Sequence, residues 1–166
     1  MNKIKIIRSN RRKKTVQAKK IDDIFHVYLP NGLSSADEQK LVEKMVTQWE
    51  RQKKKRQLNS DNQLKLRAQK INDKYFHGEL YFSIEFVANQ QKRFGSCSPH
   101  TKMIRISDRV SGMPHWVQDY IILHELTHLV YPDHSPTFWE KVNEYRLTER
   151  ARGYLIAVGL DDEINK

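Results

Sequence analysis

The first 32 residues show the alternation of apolar and polar positions that is typical of β-strands. Three segments carry this pattern, residues 3–6, 15–18 and 24–29. The basic run Arg8–Lys14 and the pair Asp22-Asp23 separate them and are predicted to be hairpin connections. Because Pro30-Asn31-Gly32 is a turn sequence, we expect the N-terminal β-hairpins to occupy residues 1–32.

Helical spacing replaces the alternation over residues 33–77. Ser34 or Ser35 is a predicted N-cap, followed by apolar positions one helical turn apart at Leu41, Val42, Met45, Val46 and Trp49. The basic run Arg51–Arg56 is predicted at the end of this helix, where cations suit the helix dipole. A second helix is predicted from Asn59–Asp61 to about Phe76, so this part consists of basic helices.

The remaining pattern, over residues 80–160, is strands followed by helices. The predicted strands are residues 81–87, 93–98 and 103–107, and the predicted helices are residues 114–130, 137–146 and 148–158. Strands, two helices, strands and helices in this order predict an α+β fold. At 166 residues the chain is expected to form a single domain over residues 1–166.

Composition and charge narrow the class of protein. Apolar residues make up 38% and charged residues 30%, as in ordinary globular proteins. Cys97 is the only cysteine in the sequence, so no intrachain disulfide is possible and a reducing cytoplasm is the expected location. No apolar stretch is long enough to predict a membrane span, and the basic N-terminus lacks the apolar core of a signal peptide.

The net charge of +10 is concentrated in the N-terminal half. Residues 1–70 contain 19 Lys and Arg against 7 Asp and Glu, whereas residues 71–166 contain 11 against 13. A basic surface attracts nucleic acid, a nucleotide or another acidic partner, although scattered lysines are also the ordinary solvated surface of a protein.

The strongest chemical signal is His124-Glu125-Leu126-Thr127-His128, an HExxH sequence inside a predicted helix. Residues at i and i+4 share one helical face, so both imidazoles can reach one ion. Glu125 projects about 100° away, beside the ion, where it can act as the general base for a metal-activated water. Since the surrounding helix is apolar on nearly every side, it is expected to be buried, and these polar residues would then carry a desolvation cost unless they ligate an ion or are paired. The alternative is a pair of core histidines hydrogen-bonded to their neighbours.

A catalytic zinc site needs a third protein ligand and an open position for water. His134 follows the Pro132 helix stop and is predicted to fold back toward the ion. Glutamates on the following helices, Glu140, Glu144 or Glu149, are the alternatives. Imidazole ligands favour zinc, although nickel, cobalt or manganese can occupy the same set.

Residues 124–139, HELTHLVYPDHSPTFW, resemble the HELxHL and HSxxFW segments of the YgjP-like metallopeptidase family, which is related to SprT-like and WLM proteases. Arg93-Phe94-Gly95-Ser96-Cys97-Ser98 resembles the RWGSCS segment of that family, with Phe94 in place of tryptophan. The resemblance implies a zincin-like fold, zinc held by His124, His128 and His134, and Glu125 as the base. It also implies that the segment containing Arg93, Phe94, Gly95 and Ser96 lines the substrate cleft.

Other residues and functions are secondary candidates. Cys97 is either a thiolate ligand of the metal in a latent, inactive state of the enzyme or a small buried residue of a strand. The candidates to stabilise an oxyanion beside the metal are Arg93, Tyr131 and Tyr145. Phe138 and Trp139 are expected to pack under the metal site. The function predicted is a zinc metallopeptidase acting on peptide or protein. The alternatives are a hydrolase of nucleotide phosphoanhydrides and a nucleic-acid-associated protein with a SprT-like site.

Overall fold

The computed structural model describes residues 3–22, 24–60, 62–90 and 92–159. Three predictions concern residues outside these ranges. Asp23 is predicted in a hairpin turn, Asp61 at the start of a helix, and residues 160–166 at the end of the domain. The described residues form five α-helices and two three-stranded sheets, which confirms the α+β class. They divide into two compact units, Met1–Lys53 and Lys54–Lys166.

The N-terminal unit is a sheet covered on one face by a helix. Its strands are β1 (Lys3–Ser9), β2 (Gln17–Ile21) and β3 (Ile24–Pro30), and α1 (Ser35–Ser60) follows. Phe25, Val27 and Leu29 of the central strand are buried, and α1 packs on them through the predicted apolar positions from Leu41 to Trp49. Ser34 caps the helix, since its Oγ accepts a hydrogen bond from the Asp37 N–H at 3.2 Å.

The pairing in this sheet corrects one prediction. The strand order is β1-β3-β2, with β1 parallel to β3 and only β2 antiparallel to it. The basic run Arg8–Lys14 is therefore no hairpin connection, because it joins the two edge strands across the central one. The most apolar strand takes the central position, where it is paired on both sides.

The basic run Arg51–Arg56 also differs from the prediction. Helix α1 continues to Ser60 and has no basic residue in its last turn, so these cations do not interact with the helix C-terminus. Near that end, Asn59 bonds the backbone of Phe86 instead: its Nδ2 donates to the Phe86 carbonyl at 3.0 Å and its Oδ1 accepts from the Phe86 N–H at 2.8 Å. No helix of the described residues is long and apolar enough to cross a membrane.

The C-terminal unit is built around one buried helix. After α2 (Gln63–Phe76) come β4 (Ser83–Val87), β5 (Gly95–Ser98) and β6 (Met103–Ser107), then α3 (His115–Thr127), α4 (Pro136–Asn143) and α5 (Thr148–Ala157). The sheet order is β4-β6-β5, with β4 parallel and β5 antiparallel to β6. Helix α3 contacts α2, α4, α5, β5 and β6, which agrees with its apolar sequence.

Candidate metal centre

Helix α3 positions three of the predicted site residues at its C-terminal end. The helix ends at Thr127, three residues before the predicted Val130. His128 nevertheless keeps right-handed helical dihedral angles, and its N–H bonds the His124 carbonyl at 3.3 Å. The i, i+4 relation between the two histidines is therefore preserved although the helix is shorter than predicted.

His134 lies against these two histidines, as expected from its position after Pro132. Its Nε2 is 3.2 Å from His124 Nε2. One nitrogen of each of the three imidazoles lies within 4.8 Å of the others, and no other group of metal-ligating side chains of this size occurs among the described residues. Two nitrogens that share a tetrahedral zinc at about 2.0–2.1 Å are separated by roughly 3.3 Å, which is close to the 3.2 Å between the Nε2 atoms of His124 and His134.

Hydrogen bonding orients the imidazole of His128. Its Nδ1 lies 3.2 Å from the Tyr131 carbonyl, which can only accept, so Nδ1 carries the proton. The lone pair of Nε2 is then available on the opposite side of the ring. This arrangement, in which a backbone carbonyl fixes the tautomer, is common for metal-ligating histidines.

Burial keeps His124 and His128 neutral. It lowers the pKa of His124 well below the usual 6.5, with smaller effects from His128 and His134, and it also lowers the pKa of His128. A neutral imidazole is the form that binds a metal ion. The buried Nδ1 of His124 has no hydrogen-bond partner within the described part of the chain.

Phe138 and Trp139 support the three rings, as predicted. The Phe138 ring is fully buried, and its centroid lies 4.9, 4.5 and 4.8 Å from those of His124, His128 and His134. Trp139 stacks on His134 at 5.6 Å between ring centroids. Since one phenyl ring touches all three imidazoles, it restricts their side-chain rotation together.

Glu125 lies on the adjacent side of α3, facing strand β5. Its side chain is only 6% exposed. A Cβ placed on Gly95 would come within 2.7 Å of Glu125 Cγ and Cδ, so the strand can approach this close only with glycine at that position. Burial, assisted by the charge of Glu125, raises the pKa of Cys97 to about 12, which makes its side chain a neutral thiol rather than a thiolate.

A cavity of about 430 Å³ joins the histidines to β5. It is lined by Arg93, Gly95, Ser96, Cys97, Pro99, His124, Glu125, His128, Pro132 and His134. Three of the four predicted substrate-binding residues thus lie at the cavity. The fourth, Phe94, is buried in the core beneath the Arg109 guanidinium, 4.9 Å from its ring centroid, and does not line this cavity, so its contact with substrate stays a prediction.

Strand β5 pairs with β6 along one side only among the described strands. The Ser107 N–H donates to the Phe94 carbonyl at 2.7 Å, which identifies Phe94 and Ser107 as a hydrogen-bonded pair of the antiparallel ladder. Hydrogen bonding to the partner strand alternates along such a ladder. The backbone N–H and C=O groups of Gly95 and Cys97 therefore point away from β6.

The other candidates lie away from the cavity. Tyr145 donates its hydroxyl to the Trp116 carbonyl at 3.0 Å, and Tyr131 contributes its carbonyl to His128 while its side chain lines a different cavity. The alternative ligands are also elsewhere: Glu140 and Glu144 line that second cavity, and Glu149 pairs with Arg152 at 2.9 Å.

Two contributors to the site were not predicted from the sequence. The hydrogen bond to the Tyr131 carbonyl could not be predicted, because every residue has a backbone carbonyl and the sequence does not indicate which one is used. Arg109 donates to the carbonyls of Gln90 at 3.3 Å and Arg93 at 3.1 Å, and thereby fixes the segment that leads into β5. An arginine shortly after a strand is too common to indicate this role.

Comparisons with known proteins agree with the geometry. The family model of the YgjP-like metallopeptidase domain matches residues 3–148. The crystal structure of the zymogen of jannalysin, a metallopeptidase of Methanocaldococcus jannaschii, is similar with 23% identity and a TM-score of 0.50, covering 57% of this chain and 94% of that chain. The likeness indicates a shared fold.

The zymogen of abylysin, a metallopeptidase of Pyrococcus abyssi, is similar with 21% identity and a TM-score of 0.48, covering 54% of this chain and 86% of that chain. No protein with a curated description matches the chain significantly.

Proposed function

The chain belongs to the YgjP-like metallopeptidase family, and on this premise we propose that it is a zinc peptidase with His124, His128 and His134 as ligands and Glu125 as general base. Membership of the family makes the protein a metal-dependent peptidase that acts on peptide or protein. The observation that carries the finer proposal is the convergence of three imidazole nitrogens within 4.8 Å, beside a buried carboxyl group.

The donor set favours zinc over other divalent ions. Three imidazoles with no carboxylate or thiolate among them are typical of catalytic zinc, which retains an open position for water. A zinc ion here would act as a Lewis acid on a carbonyl group and would supply a water of lowered pKa as the nucleophile.

Glu125 is proposed to move the protons of the reaction. It neighbours His124 in sequence but faces Gly95, so its carboxylate lies at the edge of the histidine cluster and inside the same cavity. From there it can accept the proton of an attacking water and deliver it to the leaving amine of a peptide. Burial between α3 and β5 holds it in this position.

Strand β5 is proposed to bind the substrate backbone. The outward N–H and C=O groups of Gly95 and Cys97 match those of an extended peptide, which would add to the sheet as a fourth strand. Such a peptide would pass directly over Glu125, because Gly95 is the residue in contact with it. Ser96 and the exposed Arg93 lie beside this path and are proposed to contact substrate side chains or its polarised carbonyl.

The experiment is a comparison of substrates and of two matched variants. Zinc-loaded protein is incubated with unfolded casein-type protein and, separately, with nucleoside triphosphates. Glu125→Gln removes the base without removing a ligand; Glu140→Gln is the control, since Glu140 lies outside the cavity. We expect Glu125→Gln to retain zinc and to lose activity by about 10²–10⁴-fold, while Glu140→Gln stays near the parent.

Two results contradict the proposal. Undiminished peptide cleavage by Glu125→Gln would exclude Glu125 as the base. Release of phosphate from nucleoside triphosphates without peptide cleavage would identify the protein as a phosphoanhydride hydrolase instead.

A further inference from the structure

The sheet of the N-terminal unit has a second face, opposite to the one that α1 covers. Because paired residues project to the same side, the register places alternate residues of the three strands on this face. Apart from the terminal pair Ser9 and Pro30, nine residues make up what we call the outer face: Lys3, Lys5, Ile7, Gln17, Lys19, Ile21, Ile24, His26 and Tyr28. Contacts on both sides support the assignment: Arg8 on the opposite face pairs with Glu38 of α1, whereas Arg12 reaches Gln17 on the outer face.

The outer face combines cations with rings. Lys5 and Lys19 are the register partners of His26 from the two edge strands, so an imidazole side chain has a lysine on either side of it on this face. Tyr28 follows on the same strand, with ring centroids 6.5 Å apart, and the Arg12 guanidinium lies 5.5 Å from the Tyr28 ring centroid. The lysines are exposed and the two rings are half-buried.

No acidic residue occupies any of the nine positions. Within the described part of the chain, Lys3, Lys5 and Lys19 make no ion pair. These charges therefore are not used to stabilise the fold.

The second basic run of the sequence, Arg51–Arg56, differs from these lysines because several of its cations contact other residues. Lys54 pairs with Asp108 at 3.6 Å, Lys55 pairs with Glu85 at 3.3 Å, and Lys53 lies over the Trp49 ring at 5.5 Å. These three lysines contact the protein itself. Of the two basic runs, only the first, through Arg12, adds to the outer face.

We propose that the outer face binds single-stranded nucleic acid. Unpaired bases would stack on His26 and Tyr28, and the lysines of the edge strands would neutralise the phosphates on either side. Neighbouring strands are about 4.8 Å apart, so the flanking cations lie close enough to follow a backbone that runs along β3. A flat sheet face suits exposed bases, whereas reading a duplex requires an element that enters a groove. The proposal is independent of the peptidase site.

The test measures binding of the full chain to a fluorescein-labelled oligonucleotide of about 20 nucleotides by anisotropy, at about 50 and 200 mM salt. Lys5→Glu/Lys19→Glu alters the outer face; Lys40→Glu/Lys44→Glu makes the same change of net charge on α1. Tyr28→Leu removes the larger ring and leaves the charge unchanged. Circular dichroism and thermal melting of every variant establish that it is folded.

We expect the single strand to bind more tightly than the duplex of the same sequence. The outer-face double variant should weaken binding at least tenfold and flatten the salt dependence, by roughly 0.7 in slope for each phosphate that the protein no longer neutralises. Tyr28→Leu should weaken binding about fivefold or more. If the double variant fails to fold, the result for Tyr28→Leu decides whether the outer face binds the oligonucleotide. The α1 control should stay within about threefold of the parent.

Four results would overturn the proposal: no binding, equal binding of duplex, equal weakening by the two double variants, or binding to phosphatidylserine vesicles without binding to the oligonucleotide. The last would identify an anionic membrane as the partner.

Discussion

The backbone of Gly95 lies directly against the carboxyl side chain of Glu125. A Cβ at this position would approach Cγ and Cδ of Glu125 to 2.7 Å, well inside ordinary contact distance. One strand residue therefore contacts the proposed base, and in the proposed binding mode the same residue pairs its outward backbone groups with substrate. In that mode the position of the base and the binding of the peptide would be coupled at a single glycine.

Gly95→Ala is predicted to impair turnover while leaving the metal in place. The three atoms nearest to the added methyl group all belong to Glu125, so we expect it to displace this side chain, and a displacement of about 1 Å at a catalytic group costs on the order of 10²-fold in rate. Steady-state cleavage of a peptide, together with zinc content, measures the two effects separately.

Gly153→Ala is the control for this substitution. Gly153 lies in α5, where an added Cβ meets nothing within 4 Å. Replacing a helical glycine with alanine should stabilise the protein by about 0.5–1 kcal/mol and leave turnover unchanged. Equal activity of Gly95→Ala and the parent would show that the contact does not position the base.

The metal-free protein is predicted to lose stability as the pH falls. Burial holds the pKa of His124 well below 6.5 in the folded state, whereas the unfolded chain binds a proton near 6.5. The unfolded state therefore binds more protons below about pH 6.5, and the free energy of unfolding decreases from there toward the lowered folded pKa. Above about pH 7.5 this contribution is constant.

Thermal melting in a chelator between about pH 5 and 8 checks this prediction. His124→Asn removes the group and should make the decline shallower than in the parent. A parent melting temperature that stays level down to about pH 5 would be inconsistent with the lowered pKa.

Cys97 is predicted to react slowly with alkylating reagents in the folded, metal-free protein. With a pKa raised to about 12 by burial and by Glu125, almost no thiolate exists at about pH 8, and the thiolate is the nucleophile. Iodoacetamide should modify the native protein at least about a hundredfold more slowly than the protein in urea. Since the sequence has one cysteine, mass spectrometry reports this site alone.

Glu125→Gln should accelerate the modification of Cys97, because it removes one of the two causes of the raised pKa. Rapid modification of the native parent would instead indicate a thiolate and would favour the latent-state ligand hypothesis.

Asn72→Ala is predicted to destabilise the C-terminal unit by about 2–3 kcal/mol. Asn72 is fully buried, donates to the Leu80 carbonyl at 3.0 Å and accepts from the Leu80 N–H at 3.2 Å. Its removal leaves the part-buried N–H and C=O groups of Leu80 without this partner. Urea unfolding measures the loss; Gln69→Ala, an exposed change on the same helix, should cost no more than about 0.5 kcal/mol.

The local parts of the site could be predicted from the sequence because helix geometry transfers without knowledge of the fold. The i, i+4 spacing brought His124 and His128 together, and Pro132 indicated the turn that returns His134. The apolar surroundings of the motif likewise indicated a buried helix. Each of these inferences depends on residues close in sequence.

The non-local parts could not be predicted. The most apolar strand, β3, takes the centre of the sheet, and β1 pairs parallel to it. The alternation of apolar and polar residues within each strand does not determine this order. The contact between Gly95 and Glu125 joins elements far apart in sequence, and the Asn72 and Asn59 side chains bond backbone groups of residues that share no sequence pattern with them. The burial of Phe94 depends in the same way on the packing beneath Arg109.

The central claim is that three imidazoles hold one divalent ion beside Glu125. Crystals of the protein purified with zinc, measured on both sides of the zinc absorption edge, test it most directly. We predict one anomalous peak per chain at about 2.0–2.1 Å from a nitrogen of His124, His128 and His134, with Glu125 outside the coordination sphere. A zinc-loaded crystal with no peak between these rings, or with the ion bound at other residues, would contradict the account.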